Sequence, residues 1–437
     1  MQPVSRRSIL QHSAQFAAGL FLARNSIACV RSQALPDVST ITTGPKFHWF
    51  GYYDKQQFDS TNTKVLSNQV SFEHRTPVPT DKVSVGYIDI ANQNRWTEVG
   101  QSTAWGWQQG CMLQWRPASV AEVTARGQEV VWNDRTDDGY VCRIKNINTA
   151  AERILPRPIY TLSGDGTFAL SADFARIQRM RPGYGYVGRQ SDCHQNKAPE
   201  DAGIWKMDME TGESKLIFSL ADAAAIDHQG QSLKGKWNYF NHLLMSPDST
   251  RFIVLHRWRN STTDGPNSEP TGRFYTRMFT VNADGSDRYI LDPDGHTSHF
   301  IWRDSNQVCA WTKPKGKPSA FYVFTDQSRQ VTPVGEGVMT LNGHNTYVPE
   351  TNWEWILNDT YPDRKTRAQS PYLYHVPSNR RVELGHFHLP KKYSGEWRCD
   401  THPRCSNDGQ TVCIDSPHLG DGRQLHLIKI GDIIDAL

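Results

Sequence analysis

The sequence lacks a long apolar run beyond its first residues and lacks a strong excess of charge of either sign. After residue 28, no stretch approaches the roughly 18 consecutive apolar residues that a membrane-spanning helix needs. The net charge of the 437 residues is +3, and the lysines and arginines are not run together. We therefore expect no transmembrane span in the mature chain and no nucleic acid partner.

Cysteine is also scarce, and its spacing is not that of a zinc finger. Of the 8 cysteines, 7 lie beyond Cys29. Cys399 and Cys405 flank His402 closely enough to form a disulfide in an oxidising compartment. A Cys-His metal cluster in the same stretch, CDTHPRC, is the less favoured alternative because zinc-finger spacing is absent.

The N-terminus resembles a twin-arginine export signal. Arg6 and Arg7 precede an apolar run over residues 16–23, and small residues at 26–28 stand just before Cys29. We expect residues 1–28 to be removed, residues 29–43 to be a linker, and the mature protein to be periplasmic or extracellular. Cys29 offers a site for a lipid anchor, and an amphipathic N-terminal helix is the alternative interpretation of residues 1–28.

The composition and the turn signals predict an all-β protein. Aromatic residues make up 11% of the chain, with 14 Trp, 32 Gly and 24 Pro. From residue 44 a unit of about 40 to 70 residues recurs, with two strands joined by a polar turn and then a second strand pair. The turns stand at 59–62, 116–117, 163–166, 246–248, 303–306, 348–352 and 406–409. We predict a seven-bladed β-propeller over residues 44–437, with a pair of β-sandwiches as the alternative, one helix at 220–226 and a loop at 260–271.

Four histidines share one offset from these turns. His242, His299, His344 and His402 each stand a few residues before the turn of their unit. In a propeller blade the first strand is innermost, so these residues should point towards one central pocket. A single histidine at such a position is mostly a packing residue, but four at one register position favour a functional centre. Converging neutral imidazoles are common ligands of a divalent metal.

Further candidates lie at the ends of the second strands and in two aromatic segments that precede turns. Arginines there would hold a substrate carboxylate, and aromatic rings would serve as platforms for sugars or as packing between blades. The candidate substrate contacts from these positions are Arg135, His256, Arg257, Tyr52, Tyr53, Trp107 and Gln109. A metal, a histidine base and an arginine together suit β-elimination from a uronic acid, because they stabilise the charge that develops when the C5 proton is removed.

Five motifs resemble the oligogalacturonate lyase-type propellers, which are polysaccharide lyases of seven blades. They are NHLLMSPD at 241–248, RMFTVNADGSD at 277–287, SHFIWRD at 298–304, GHNTYVPE at 343–350 and THPRCSNDG at 401–409. The resemblance implies an exported lyase for a uronate-containing oligosaccharide or polysaccharide, with His242 as the base. From their positions in the chain, Arg257 or Arg135 is expected to assist by holding the substrate carboxylate. The resemblance also implies a metal, manganese before zinc or calcium, on His299, His344 and His402. The closely spaced glutamine and paired histidines of that family's metal shell are not found.

Three other functions stay open at this point. Ulvan lyases of similar form work without a catalytic metal through histidine, tyrosine and arginine, and Tyr52, Tyr53, His256 and Arg257 would suit that route. A glycoside hydrolase would need two carboxylates across the pocket, for which Asp359 and Asp415 are the candidates. A non-catalytic glycan-binding or scaffolding propeller would use the histidines for a structural metal or for packing.

Overall fold

The computed structural model describes residues 34–118, 122, 127–263, 265 and 267–436. The predicted export signal and Cys29 lie outside the described residues. None of the helices in the described part of the chain has the length and apolar character that crossing a membrane requires.

The strands of the described chain form antiparallel sheets, and seven of the sheets among the described residues have four strands. The first comprises β2 (Phe47–Trp49), β3 (Lys64–Val70), β4 (Val83–Asp89) and β5 (Arg95–Ser102). The second comprises β6 (Gln114–Trp115), β7 (Glu129–Arg135), β8 (Tyr140–Asn146) and β9 (Glu152–Leu155). The third comprises β10 (Thr161–Leu162), β11 (Phe168–Ser171), β12 (Gly203–Asp208) and β13 (Ser214–Ser219). The fourth comprises β14 (Trp237–Met245), β15 (Arg251–Ser261), β16 (Pro270–Asn282) and β17 (Tyr289–Asp292).

The remaining sheets follow the same order along the chain. The fifth comprises β18 (Phe300–Trp302), β19 (Gln307–Thr312), β20 (Ala320–Thr325) and β21 (Val331–Pro333). The sixth comprises β22 (Thr346–Tyr347), β23 (Trp355–Asn358), β25 (Tyr372–His375) and β26 (Arg380–Glu383). The seventh comprises β28 (Arg404–Cys405), β29 (Thr411–Ser416), β30 (Gln424–Lys429) and β1 (Val38–Thr40), and β24 (Ala368–Gln369) pairs separately with β27 (Phe387–His388). The helices are α1 (Phe174–Met180), α2 (Leu220–Ala225), α3 (Gly431–Ile434) and a 3-10 turn (Gly395–Trp397).

All seven predicted turns lie between the first and second strands of these sheets, as the sequence indicated. In the fourth sheet the Ser246 hydroxyl donates to Asp248 Oδ1 over 2.7 Å and accepts from the Arg251 backbone N–H over 3.0 Å. These short polar side chains satisfy backbone groups of the tight turn locally, which is why the turns were visible in the sequence.

The seventh sheet joins the two ends of the described chain. β1 pairs with β30, with Val38 opposite Ile428 and Thr40 opposite His426. The Thr40 hydroxyl also lies 3.1 Å from His426 Nδ1. The sheet structure therefore begins within residues 29–43, the segment that the sequence analysis expected to be a linker.

Of the predictions for the two inserted segments, one is confirmed and the other is wrong. The predicted helix is confirmed as α2, whose N-terminus is capped by the Ser219 hydroxyl accepting from the Asp222 N–H. The loop predicted at 260–271 is wrong at both ends, because β15 extends to Ser261 and β16 begins at Pro270. β15 and β16 stay paired at these ends, and most of the turn-forming residues lie in the loop that joins the two strands.

The predicted disulfide is also wrong, because Cys399 and Cys405 are both free thiols. Cys399 is buried with Leu389 and Tyr393, whereas Cys405 lies in β28 and packs against the cluster that contains Val348. The two side chains therefore enter different clusters although they are close in sequence.

The four histidines stand at equivalent places in four successive sheets. His242 lies in β14, and the other three histidines lie one or two residues before β18, β22 and β28. The Tyr53 hydroxyl, just after β2 of the first sheet, donates to the Phe300 carbonyl oxygen in the fifth sheet over 2.9 Å. A contact between these two sheets places the start of β18 beside the end of β2.

Candidate active site

Unusual backbone conformations present two of the histidines. His242 has a φ of 54° and His402 a φ of 38°, both in the left-handed region. His242 sits at an irregularity in the pairing of β14 with β15, between Asn241 and Leu244. Histidine is among the residues that tolerate this region best, and such conformations concentrate at functional sites. The Tyr160 hydroxyl accepts the His242 backbone N–H over 3.0 Å and holds the segment in place.

The four imidazoles form one cluster with two tyrosines. The ring centroids of His299 and His344 are 4.3 Å apart, as are those of His344 and His402. Tyr52 stacks on His242 at 5.1 Å and contacts His402 at 5.3 Å, so it bridges the fourth and seventh sheets. The four histidines are only 2% to 5% exposed.

Tyr53 contacts two of the four histidines. Its ring lies 5.3 Å from that of His344 and 6.0 Å from that of His299, and its hydroxyl is anchored on Phe300. The structure thus brings together the four histidines and both tyrosines that the sequence indicated.

A group of three side chains is suited to hold a metal ion. His344, His402 and Asp400 offer ligand atoms that all lie within 4.8 Å of one another. His402 Nε2 and Asp400 Oδ1 are buried without any hydrogen-bond partner among the described residues. Buried polar atoms are normally satisfied, and a metal ion between these two would satisfy both.

His344 is oriented by a carboxylate behind it. Asp359 lies 2.9 Å from His344 Nδ1 and also accepts the His344 backbone N–H over 2.8 Å. The Thr401 hydroxyl donates to the other Asp359 oxygen over 2.5 Å. A carboxylate on one ring nitrogen fixes the tautomer that leaves the other nitrogen free to bind a metal.

His299 is placed beside the metal-binding group rather than within it. Its Nδ1 lies 2.9 Å from the Asn342 side-chain oxygen, and its Nε2 lies 3.4 Å from the Tyr361 hydroxyl. The sequence analysis named His299 as a ligand; its ring centroid lies 4.3 Å from that of His344, and the structure adds Asp400 beside His344 and His402 as a further candidate ligand.

Two arginines lie close to His242, and a third contacts Asp400 and Tyr184. Arg181 Nη1 lies 3.3 Å from His242 Nε2, and the Arg257 guanidinium is buried with its Nη1 unpartnered among the described residues. Arg398 donates from Nε to Asp400 Oδ2 over 2.7 Å and from Nη2 to the Tyr184 hydroxyl over 2.6 Å.

This positive charge sets the protonation of the site. Burial, and then the charges of Arg257 and Arg181, hold the pKa of His242 well below the ordinary histidine value. Burial and the neighbouring Arg181 lower the pKa of Arg257 to about 10. His242 is therefore neutral at pH 7, and a bound anion would meet the unpartnered Nη1 of Arg257.

Two of the remaining predicted substrate contacts lie elsewhere. Arg135 donates to the carbonyl oxygens of Pro79 and Val187. Trp107 is buried in an aromatic cluster with Trp49, and its indole N–H donates to a backbone carbonyl oxygen. In the part of the chain that the structure describes, neither side chain has a hydrogen bond or ring contact with the four histidines.

Of the other two predicted substrate contacts, Gln109 lies near His242 and His256 does not. Gln109 Oε1 accepts from the Tyr160 hydroxyl over 3.0 Å, one contact away from His242. His256 is fully buried between strands, hydrogen-bonded to Asn238 and to Arg277. His256 thus lies in the packing of the fourth sheet, whereas its neighbour Arg257 lies in the pocket.

The two carboxylates considered for a glycoside hydrolase are both engaged in internal contacts. Asp359 supports His344, as described above. Asp415 pairs with Arg404 over 2.8 Å and accepts the backbone N–H groups of Phe50 and Gly51. Neither is placed to protonate a glycosidic oxygen across the pocket.

Sequence reasoning missed several side chains of the pocket. They are Arg181, Tyr184, Tyr361, Arg398 and Asp400. Asp400 and Arg398 stand two and four residues before His402, which is the one signal in the sequence that would have found them. Arg181 and Tyr184 follow helix α1, which had no clear pattern of its own.

Comparison with solved structures finds two oligogalacturonate lyases. One, solved in complex with manganese, aligns with a TM-score of 0.62 and 13% identity over 91% of this chain and 94% of that chain. A second, from Vibrio parahaemolyticus, aligns with a TM-score of 0.61 and 12% identity over 91% of this chain and 95% of that chain. The fold is the β-propeller of these lyases.

The same fold is shared with proteins of other activity. The tricorn protease aligns with a TM-score of 0.50 and 11% identity over 93% of this chain and 35% of that chain. No protein-family model and no curated protein sequence matches the chain. The likeness therefore concerns the fold, and function has to be inferred from the site.

Proposed function

We propose that this protein is a polysaccharide or oligosaccharide lyase that cleaves a uronate-containing glycan by β-elimination. The observation that carries the proposal is the joint presence, in one cluster of side chains, of a metal-binding group, a neutral histidine and a buried guanidinium nitrogen of Arg257 that has no partner among the described residues. Oligogalacturonate and related uronates are the first substrates to consider, because the oligogalacturonate lyases share the fold.

His344, His402 and Asp400 would hold the metal, with His299 beside them as a further donor. A bound divalent ion, manganese in the first instance, would act as a Lewis acid on a carboxylate oxygen of the substrate. The residues fit such an ion because His402 Nε2 and Asp400 Oδ1 are buried and unpartnered in the described chain.

Arg257 and Arg181 would grip the substrate carboxylate. Arg181 faces His242 Nε2 in the free protein, so its guanidinium engages the lone pair that a base needs. A carboxylate bound between the arginines would neutralise part of their charge and draw Arg181 towards itself. His242 would then be free to take the C5 proton, and its basicity would rise because the positive field on it weakens.

Tyr52 and Tyr53 would form the surface against which the sugar ring packs. Gln109 would help to position this part of the site through its hydrogen bond with Tyr160, and it would not bind substrate itself. We further propose that the seven sheets are the blades of one ring, and that residues 1–28 direct export to the periplasm or beyond, where Cys29 is available for lipidation.

The test is incubation of the manganese-loaded protein with polygalacturonate, oligogalacturonides, ulvan and other uronates. The expected result is the ultraviolet absorbance of the unsaturated product with at least one of them, and its loss in His242→Asn. His242→Asn should still bind manganese, because His242 is outside the ligand group. Absence of product with every uronate, with metal bound, refutes the proposal.

A non-catalytic glycan-binding protein is the second candidate function. Burial of the histidines favours it, because none of them exceeds 5% exposure in the protein as it stands. Elemental analysis and glycan binding separate the two functions: a binding protein would retain a glycan without producing an unsaturated end. A metal-independent lyase would instead keep its turnover after complete chelation.

A further inference from the structure

Tyr184 is the tyrosine of the pocket that is best equipped to lose a proton. Its ring packs edge-on against His242, with 5.6 Å between ring centroids. Its hydroxyl oxygen accepts a hydrogen bond from Arg398 Nη2 over 2.6 Å. The Arg181 guanidinium carbon lies 3.8 Å from the centre of the same ring. Two cations therefore stabilise a phenolate at this position.

The other tyrosines in contact with the histidines are set differently. Tyr53 donates its hydroxyl to the Phe300 carbonyl oxygen, and Tyr361 faces His299. Burial raises the pKa of Tyr52, Tyr53 and Tyr361. Burial acts in the same direction on Tyr184, but the charges of Arg181 and Arg398 outweigh it, and its pKa lies below the ordinary tyrosine value.

We propose that Tyr184 is the general acid that protonates the leaving glycosidic oxygen. The inference rests on the proposed function, since it assigns the second proton transfer of the same elimination. Arg398 donates to the phenol oxygen, so the phenol's own hydrogen is free to point towards a substrate. Its position next to His242 puts acid and base on neighbouring parts of the pocket wall.

The proton and electron balance of the step is complete without another reactant. His242 takes the C5 proton, the C5–H electron pair forms the C4–C5 double bond, and the C4–O bond breaks. The departing oxygen takes the Tyr184 proton and leaves as an alcohol. Arg398 and Arg181 stabilise the resulting phenolate until water reprotonates it and accepts the proton held by His242.

The experiment compares two substrates in Tyr184→Phe, which keeps the ring and removes the hydroxyl. On the natural glycan, found in the uronate screen, kcat should fall by roughly 100- to 10,000-fold, the usual contribution of a general acid. On a uronate with fluoride at C4, whose departure needs no proton, the variant should stay within about tenfold of the wild type.

Tyr374→Phe is the matched control, because it removes a hydroxyl that donates to Asn379 outside the pocket. Its kcat should equal that of the wild type on both substrates. A second measurement replaces Tyr184 with a fluorotyrosine, which keeps the shape and makes the phenol more acidic. The alkaline limb of the pH–rate profile should then move to lower pH.

The outcomes separate this inference from the proposed function. Equal losses of Tyr184→Phe on both substrates would show a structural role and overturn the assignment, as would full activity on the glycan or an unmoved alkaline limb. A wild-type protein that yields no unsaturated product from any uronate overturns the proposed function and the assignment together. Selective loss on the glycan supports both.

Discussion

Asp359→Asn should weaken metal binding while leaving the fold nearly intact. Asp359 is 1% exposed and accepts hydrogen bonds from the His344 backbone and ring and from Thr401. Asparagine keeps an acceptor oxygen for His344, and its amide can donate to the Thr401 hydroxyl. The substitution therefore preserves shape and removes the charge that strengthens His344 as a ligand.

The expected loss follows from the position of Asp359 behind His344. Removing such an outer partner lowers metal affinity by roughly 10- to 100-fold, which corresponds to about 1.4 to 2.7 kcal/mol. The free energy of unfolding without metal should fall by about 1 to 3 kcal/mol, because the buried Thr401 hydroxyl hydrogen loses its carboxylate acceptor.

Calorimetric titration of chelator-stripped protein with Mn²⁺ measures the affinity, and urea unfolding without metal measures the stability. Asp326→Asn is the control: it breaks a buried pair with Arg251, which contacts none of the candidate ligands, so it should lower stability and leave the affinity of folded protein unchanged. A wild-type manganese affinity in Asp359→Asn would refute the assignment of His344 as a ligand.

Three further predictions concern other groups. Burial lowers the pKa of His426 to about 4, below the value of about 6.5 in the unfolded chain. The unfolded state therefore binds more protons between these values, and stability present above pH 6.5 should fall by about 2 kcal/mol at pH 5. Other buried histidines with lowered pKa values, such as His48 at about 4, add to the loss of stability in the wild type. Urea unfolding at pH 7 and pH 5 should therefore show a loss that is about 2 kcal/mol smaller in His426→Gln than in the wild type. His242→Asn should be more stable than His242→Ala by roughly 1 kcal/mol, since asparagine tolerates a positive φ better; thermal unfolding of both variants checks this, and equal stability would contradict it. Arg257→Gln should lower kcat/KM for the uronate roughly 100-fold through the lost carboxylate contact without lowering the Tm, because a buried cation without an ion-pair partner is removed; a fall in Tm would show that Arg257 supports the fold.

The repeat and the register of the histidines were predictable because local chemistry encodes them. Turns such as 246–248 satisfy their own backbone groups, so their residues are recognisable in isolation. Once the turns are in register, the strand period places His242, His299, His344 and His402 at equivalent positions. Their convergence then follows from the fold without any long-range information.

Other features depend on contacts that a single sequence does not show. Neighbours on a strand point to opposite faces, so Arg257 and His256 cannot both face the pocket, and only the packing of the fourth sheet decides between them. Trp107 satisfies its indole N–H internally, which the aromatic pattern does not reveal. Asp400 acquires its position from the path of the chain before β28, because its carboxylate is held there by Arg398.

The stability of the folded protein depends on the pairing of β1 with β30, to which β1 contributes only three residues. Thr40 and His426 are 386 residues apart in the chain, and closing a loop of that length costs about 5 kcal/mol of chain entropy. Three residues of strand pairing can offset this only when the intervening sheets are already folded. We therefore expect the pairing of β1 with β30 to form last during folding, and opening of the folded protein to start there.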